Sequence, residues 1–172
     1  MSGGALRTLA HSEADTEAFG ARLARTAPPA AELAIVYVAG ELGAGKTTLI
    51  RGFLRACGIT RAVRSPTYTL VEEYVRPDRT VLHADLYRLR SAAELEPLGL
   101  REQARPGFLW LIEWPERGHG ALPPADLELQ LTAREDAHAI ETRAFSPAGT
   151  QWLARLTADP VVRSLEKEPP TT

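Results

Sequence analysis

The sequence predicts a three-layer α/β fold, with a central, mostly parallel sheet between helices and an antiparallel hairpin near the C-terminus. Three observations predict it. Apolar runs of strand length at 33–39 and 108–113 show no polar alternation, as strands covered on both faces do. Helical patterns lie between the strands, as parallel crossovers require. Beyond Pro123-Pro124 the pattern changes to Asp126-Leu127-Glu128-Leu129-Gln130-Leu131-Thr132, whose clean alternation describes a strand with one wet face.

Taken in order, Leu6 to Ala10 reads as a short first strand. Ser12 follows as a helix N-cap, with Glu13 and Asp15 in the first turn, where the helix dipole favours negative charge. Ala18, Phe19, Leu23 and Ala24 give that helix an apolar stripe, and Pro28-Pro29 ends it. Its N-terminal turn is either a plain cap or a cover for a bound base. The strand Leu33 to Ala39 then runs into Gly40-Glu41-Leu42-Gly43-Ala44-Gly45-Lys46-Thr47, which fits G-x-x-x-x-G-K-[ST] at every fixed position. Backbone N–H groups in such a loop surround phosphates without side-chain obstruction, and the helix that follows turns its positive end to the same anion. Strand, loop and helix in this order predict a P-loop NTPase-like fold. Leu42, Gly43, Ala44, Gly45, Lys46, Thr47 and Thr48 are the candidate nucleotide contacts, with Lys46 toward the β/γ-phosphates and Thr47 on Mg²⁺. The chain has two lysines, Lys46 and Lys167, against 18 arginines, so Lys46 is no generic surface charge.

The loop helix runs from Lys46 to Cys57 and stops at Gly58. Ser65 to Tyr74 reads as a strand entered through a Pro66 turn; its hydroxyls also suit a nucleotide-sensing segment, and both readings stand. A strand from Thr80 to Tyr87 carries His83, read as a hydrogen-bonded structural residue, and Asp85, read as a metal or water ligand, a cap, or a salt-bridge partner of Arg88. Residues 91–105 read as a helix interrupted around Pro97 to Gly99. Phe108-Leu109-Trp110-Leu111-Ile112-Glu113 is the better Walker B candidate, with Glu113 on or beside the Mg²⁺ shell and Asp85 as its competitor. Trp114 opens the loop that leaves this strand, where ligands of open α/β sheets bind. The hairpin 126–145 and a helix from Ser146 to Leu156 complete a single domain over 1–157, and 158–172 reads as a flexible tail.

A formal charge of −2 argues against sequence-independent nucleic-acid binding, and DNA is not an expected partner. The lone Cys57 cannot form an internal disulfide or a zinc cluster, and reads as a helix-core residue in a reducing compartment. No apolar run approaches membrane-spanning length and no signal peptide is recognised, so a cytoplasmic location without membrane attachment is expected.

Four blocks together resemble the bacterial TsaE (YjeE) family: Gly40 to Thr48, Ser65-Pro66-Thr67-Tyr68-Thr69-Leu70-Val71, His83-Ala84-Asp85-Leu86-Tyr87-Arg88-Leu89, and Ile112-Glu113-Trp114-Pro115-Glu116-Arg117-Gly118. The phosphate loop is common to many NTPases; the other three blocks are specific in combination. The resemblance implies a small ATPase of tRNA threonylcarbamoyladenosine (t6A) biosynthesis, with ATP and Mg²⁺ as cofactors. It implies TsaB and TsaD homologues as partners, whose complex ATP hydrolysis resets, and tRNA reached through that complex. It also implies that Thr47 and Glu113 hold Mg²⁺, that Lys46, Asp85, Glu113 and Trp114 serve hydrolysis, and that Glu13 lies close to the nucleotide.

Rival readings separate on composition. Guanine recognition commonly uses N-K-x-D, and the chain has no asparagine, which removes a GTPase. A small-molecule kinase shares the loop and the size, but the C-terminal third is a hairpin rather than an Arg-rich lid. A nucleotide-gated binding module with negligible turnover differs only in whether a water is positioned.

Overall fold

A computed structural model describes residues 4–63, 66 and 69–165. Seven strands form one sheet: β1 (Leu6–Ala10), β2 (Ala34–Gly40), β3 (Val71–Val75), β4 (Thr80–Asp85), β5 (Phe108–Glu113), β6 (Leu127–Ala133) and β7 (His138–Ala144). Their order is β1-β7-β6-β2-β5-β4-β3. The inner four, β6, β2, β5 and β4, are parallel, and antiparallel pairings add β3 at one side and β7 with β1 at the other. The predicted hairpin is β6–β7. It extends the parallel core instead of forming a layer of its own, because β6 pairs with β2 while β7 folds back to receive β1.

Alternation along the central strands divides their side chains between two cores. Val36 and Val38 of β2 and Leu109 and Leu111 of β5 face the helices α1 (Glu13–Arg25), α2 (Lys46–Ala56), α4 (Pro147–Ala158) and α5 (Pro160–Leu165). Ile35, Trp110 and Ile112 face the opposite way, onto Leu95 and Leu100. The covering there is thin. Residues 91–105 form a 3-10 helix, Ala92–Leu98, and one helical turn, α3 (Leu100–Gln103), separated by left-handed Gly99. By the same alternation His83, Asp85 and Glu113 share the face of Val81, Leu109 and Leu111, which is the face that α2 covers.

The helices α1 and α2 meet backbone to backbone. A Cβ on Gly20 would stand 1.9 Å from the Leu49 carbonyl oxygen, and one on Gly52 2.1 Å from the Glu17 carbonyl oxygen. Any larger residue would push the pair apart. Arg51 of α2 donates to Glu17 of α1 at 2.6 Å, closing the crossing from its outer side.

Two sequence expectations change. β3 begins at Val71 rather than near Ser65: Leu70 adopts a φ of 62° and its N–H bonds the Pro66 carbonyl at 2.9 Å, a turn that precedes the edge strand. Of Ser65, Thr67 and Thr69, considered for a sensing role, the first two lie outside the described residues and Thr69 stands in a turn. Within 158–172, where a frayed tail is expected, Pro160–Leu165 instead forms α5, and residues 166–172 lie outside the described residues. Little apolar content suffices because it is well placed. Val162 is fully buried, and Asp159 accepts from Arg22 Nε at 2.7 Å and from the Val161 N–H at 2.9 Å.

Burial pushes the Asp159 carboxyl up, but Arg22 and the α5 amides outweigh it and hold the group below the ordinary carboxylate range. Its stabilisation is therefore present above the unfolded pKa of roughly 4 and is lost as pH falls through the lower folded value. Asp159→Asn should lower stability at pH 7 by about 1–3 kcal/mol in urea denaturation. The difference from the parent protein should shrink steadily below about pH 4.

Candidate functional site

The site grows from the end of β2. Gly40 closes the strand, residues 41–45 turn, and α2 begins at Lys46 with Gly45 as its cap at a φ of 97°. Gly45 has no side chain to occupy the first amides of α2, and unpaired amides at a helix start form an anion site. Lys46 is 5% exposed, and its Nζ donates to the carbonyls of Gly40 at 2.6 Å and Glu41 at 2.8 Å. The ammonium also lies 4.3 Å from the centre of the Trp114 ring. Burial lowers the Lys46 pKa, while Glu113, Asp85 and Glu116 pull it back up.

Trp114 reaches that position through an unusual backbone. It follows β5 with a φ of 56°, a left-handed conformation that costs a residue with a Cβ about 1–2 kcal/mol. Its N–H bonds the Val38 carbonyl at 3.3 Å, and its ring packs on Tyr87 at 4.9 Å between centroids. Contact with Lys46 and Tyr87 thus adds to any packing on Pro115.

The carboxylates come from neighbouring strands. In the β4–β5 ladder Asp85 pairs with Glu113, so both stand at the carboxyl end of the sheet. Glu113, 2% exposed, accepts from Thr47 Oγ1 at 3.3 Å and lies 2.7 Å from His83 Nε2. An ionised carboxylate can only accept, which places the imidazole proton on Nε2. The buried His83 Nδ1 has no partner among the described residues. His83 is thus the structural, hydrogen-bonded histidine expected, with a carboxylate of the site as its partner. Asp85 accepts the Tyr87 N–H at 3.0 Å, a cap over the strand end.

One cleft of about 520 Å³ brings together Glu13, Leu42, Gly43, Gly45, Lys46, Thr47, Thr48, Asp85, Glu113 and Trp114. Ala44 does not border it: its methyl is buried in the α2-side core, and its N–H bonds the Glu41 carbonyl at 3.1 Å. Glu13 stands at the rim, 77% exposed, 3.5 Å from Arg51. Tyr87, Arg88 and His138 also line the cleft. Tyr87 and Arg88 adjoin Asp85 in sequence, whereas His138 arrives from the β6–β7 hairpin and no local pattern announces it. The thiol of Cys57, at the end of α2, is partly buried and is not among these residues. A larger hollow of about 870 Å³, lined by Gly40 and Glu41, shares Trp114 with this cleft, yet Lys46, Thr47, Asp85 and Glu113 do not reach it. The predicted site residues gather in the smaller cleft. A hydroxyl and a carboxylate side by side, Thr47 and Glu113, are hard oxygen donors of the kind Mg²⁺ takes.

A phosphate loop on a central parallel strand, with carboxylates ending the next two strands on one side of it, β5 and β4, defines a P-loop NTPase-like fold. The family described as "Threonylcarbamoyl adenosine biosynthesis protein TsaE" matches residues 10–144. A TsaE protein of Haemophilus influenzae is 47% identical over 120 residues, covering 70% of this chain and 76% of that protein. One of Bacillus subtilis is 36% identical over 119 residues, covering 69% and 72%. The crystal structure of Bacillus subtilis YdiB superposes with a TM-score of 0.76 at 28% identity, covering 91% of this chain and 96% of that one. The chain belongs to the TsaE family.

The His83–Glu113 contact makes a prediction independent of any ligand. His83→Ala leaves Glu113 buried with a donor missing and should cost about 2–4 kcal/mol in chemical denaturation. Combined with Glu113→Gln, it should show a coupling of about 0.5–3 kcal/mol, since the two residues share one contact. Additive effects would mean that the pair does not interact in solution.

Proposed function

We propose that this protein is the Mg²⁺-dependent ATPase of bacterial t6A biosynthesis, acting in the cytoplasm with TsaB and TsaD homologues and resetting their complex by hydrolysis. The observation that carries this reading is the contact of Thr47, in the phosphate loop, with Glu113, at the end of β5, in a chain of the TsaE family. In this reading the amides of residues 42–48 hold the phosphates of ATP. Lys46 exchanges its two carbonyl acceptors for β/γ-phosphate oxygens, and Trp114 keeps water from that ammonium. Thr47 and Glu113 hold Mg²⁺, which when bound neutralises phosphate charge. Asp85, anchored through the Tyr87 N–H, orients the attacking water. Glu13 borders the nucleoside end. The modified tRNA is reached through the partner complex, without direct contact with DNA or membrane; no helix among the described residues is long and apolar enough to cross a membrane.

Three measurements test the reading. Lys46→Ala should weaken ATP binding by about 10- to 100-fold, the loss of a charge-assisted contact to phosphate; unchanged affinity in calorimetry would remove the phosphate-loop assignment. Glu113→Gln keeps the shape and removes the charge, so Mg²⁺-dependent turnover should fall about 10-fold or more while ATP still binds. If Mg²⁺ titrations of the two proteins coincide, the metal role passes to Asp85. Phosphate release should be slow for the protein alone and rise on adding TsaB and TsaD homologues. Transfer of phosphate to a small acceptor in the same assay would establish a kinase instead.

A further inference from the structure

We propose that His83 is a positioning residue of the Mg²⁺ site: by donating to one carboxylate oxygen of Glu113, it aims the other at Thr47. This rests on the ATP- and Mg²⁺-binding reading above. The two contacts of Glu113 fall on different atoms. His83 Nε2 lies 2.7 Å from Oε2, whereas the Thr47 hydroxyl donates to Oε1 at 3.3 Å. The last torsion of a glutamate is broad, and its carboxylate turns readily when nothing holds it. A hydrogen bond to Oε2 removes that freedom and keeps Oε1 beside the hydroxyl of the phosphate loop.

His83 does not border the cleft, so what it does for a metal there it does through Glu113. Its own place is set by the sheet. β4 lies between β3 and β5, and His83 stands in register with Glu72 on one side and Leu111 on the other. The ring is fully buried and Glu113 is 2% exposed, so bulk water does not compete for Oε2. Carboxylates that hold metals are commonly oriented by such outer partners, whose loss weakens metal binding by about 10- to 100-fold. The imidazole is therefore more than a filler of the core beneath the strand ends.

The test measures metal and nucleotide binding separately, in the full chain. Calorimetry follows ADP binding in EDTA, and then Mg²⁺ titrated into the ADP-bound protein. His83→Leu keeps apolar bulk without a donor, and His83→Gln keeps an N–H donor without the ring. Thermal melting without nucleotide checks that each variant folds. In His83→Leu, Mg²⁺ affinity should fall about 10-fold or more while ADP binding in EDTA is unchanged; in His83→Gln, Mg²⁺ affinity should stay within about 3-fold of the parent. Nitrogen NMR of the parent chain needs no variant: the His83 proton should sit on Nε2, and that resonance should move when Mg²⁺ joins the ADP-bound protein. Parent-like Mg²⁺ affinity in His83→Leu overturns the proposal. An equal loss of ADP binding in EDTA, or no recovery in His83→Gln, also overturns it and makes the ring a packing element. So does an Nε2 that carries no proton or ignores Mg²⁺. If the parent binds ADP but no Mg²⁺, the metal assignment has failed; if it binds no nucleotide, the ATP-binding reading has failed. The proposal about His83 falls with either.

Discussion

The site depends on one register. Because β4 and β5 pair with Asp85 opposite Glu113, two carboxylates stand side by side at the carboxyl edge of the sheet, on the face covered by the phosphate-loop helix. Like charges so placed repel, and the fold gives them separate donors. Glu113 is held by Thr47 and His83, while Asp85 turns to the backbone of Tyr87. Lys46 is buried nearby, and both carboxylates favour its charged form. A shift of β4 by one residue would send Asp85 and His83 to the opposite core and leave Glu113 without its imidazole.

The second constraint is the glycine crossing of α1 and α2. With Gly20 on Leu49 and Gly52 on Glu17, the two helices have no side-chain layer between them to compress or slide. Glu13, at the start of α1, is therefore carried on the same rigid unit as the phosphate loop. On the far side α5 closes against α1 through Asp159 and Arg22. The rim of the cleft is thus anchored to the core on both sides of the loop: through α1 at Glu13, and through the β1–β7–β6 pairing at His138.

What could be read from the sequence was what is contiguous. The phosphate loop is an unbroken run with a fixed spacing, and the buried strands ending in Asp85 and Glu113 announce themselves by apolar runs closed with a charge. What could not be read depends on contacts between distant segments. Gly20 and Gly52 look like poor helix residues until the helices are placed together. Val162 is one apolar residue in a polar stretch, and only its position over the core makes α5 dock. His138 follows a hairpin turn, and nothing local links it to the cleft. Among the carboxylates, residue type suggested a role for both Asp85 and Glu113; that Thr47 contacts the second while the first turns to the Tyr87 backbone could be seen only in the structure.

Trp114 has one more consequence. The chain has three tryptophans, and two of them, Trp110 and Trp152, are fully buried. Trp114 alone is partly open to solvent, with its ring against the Lys46 ammonium. A cation over an indole perturbs its emission, and any ligand that draws Lys46 away changes that environment while the other two indoles stay sealed in the cores. The protein therefore carries an optical gauge of its own lysine, readable in the unlabelled chain.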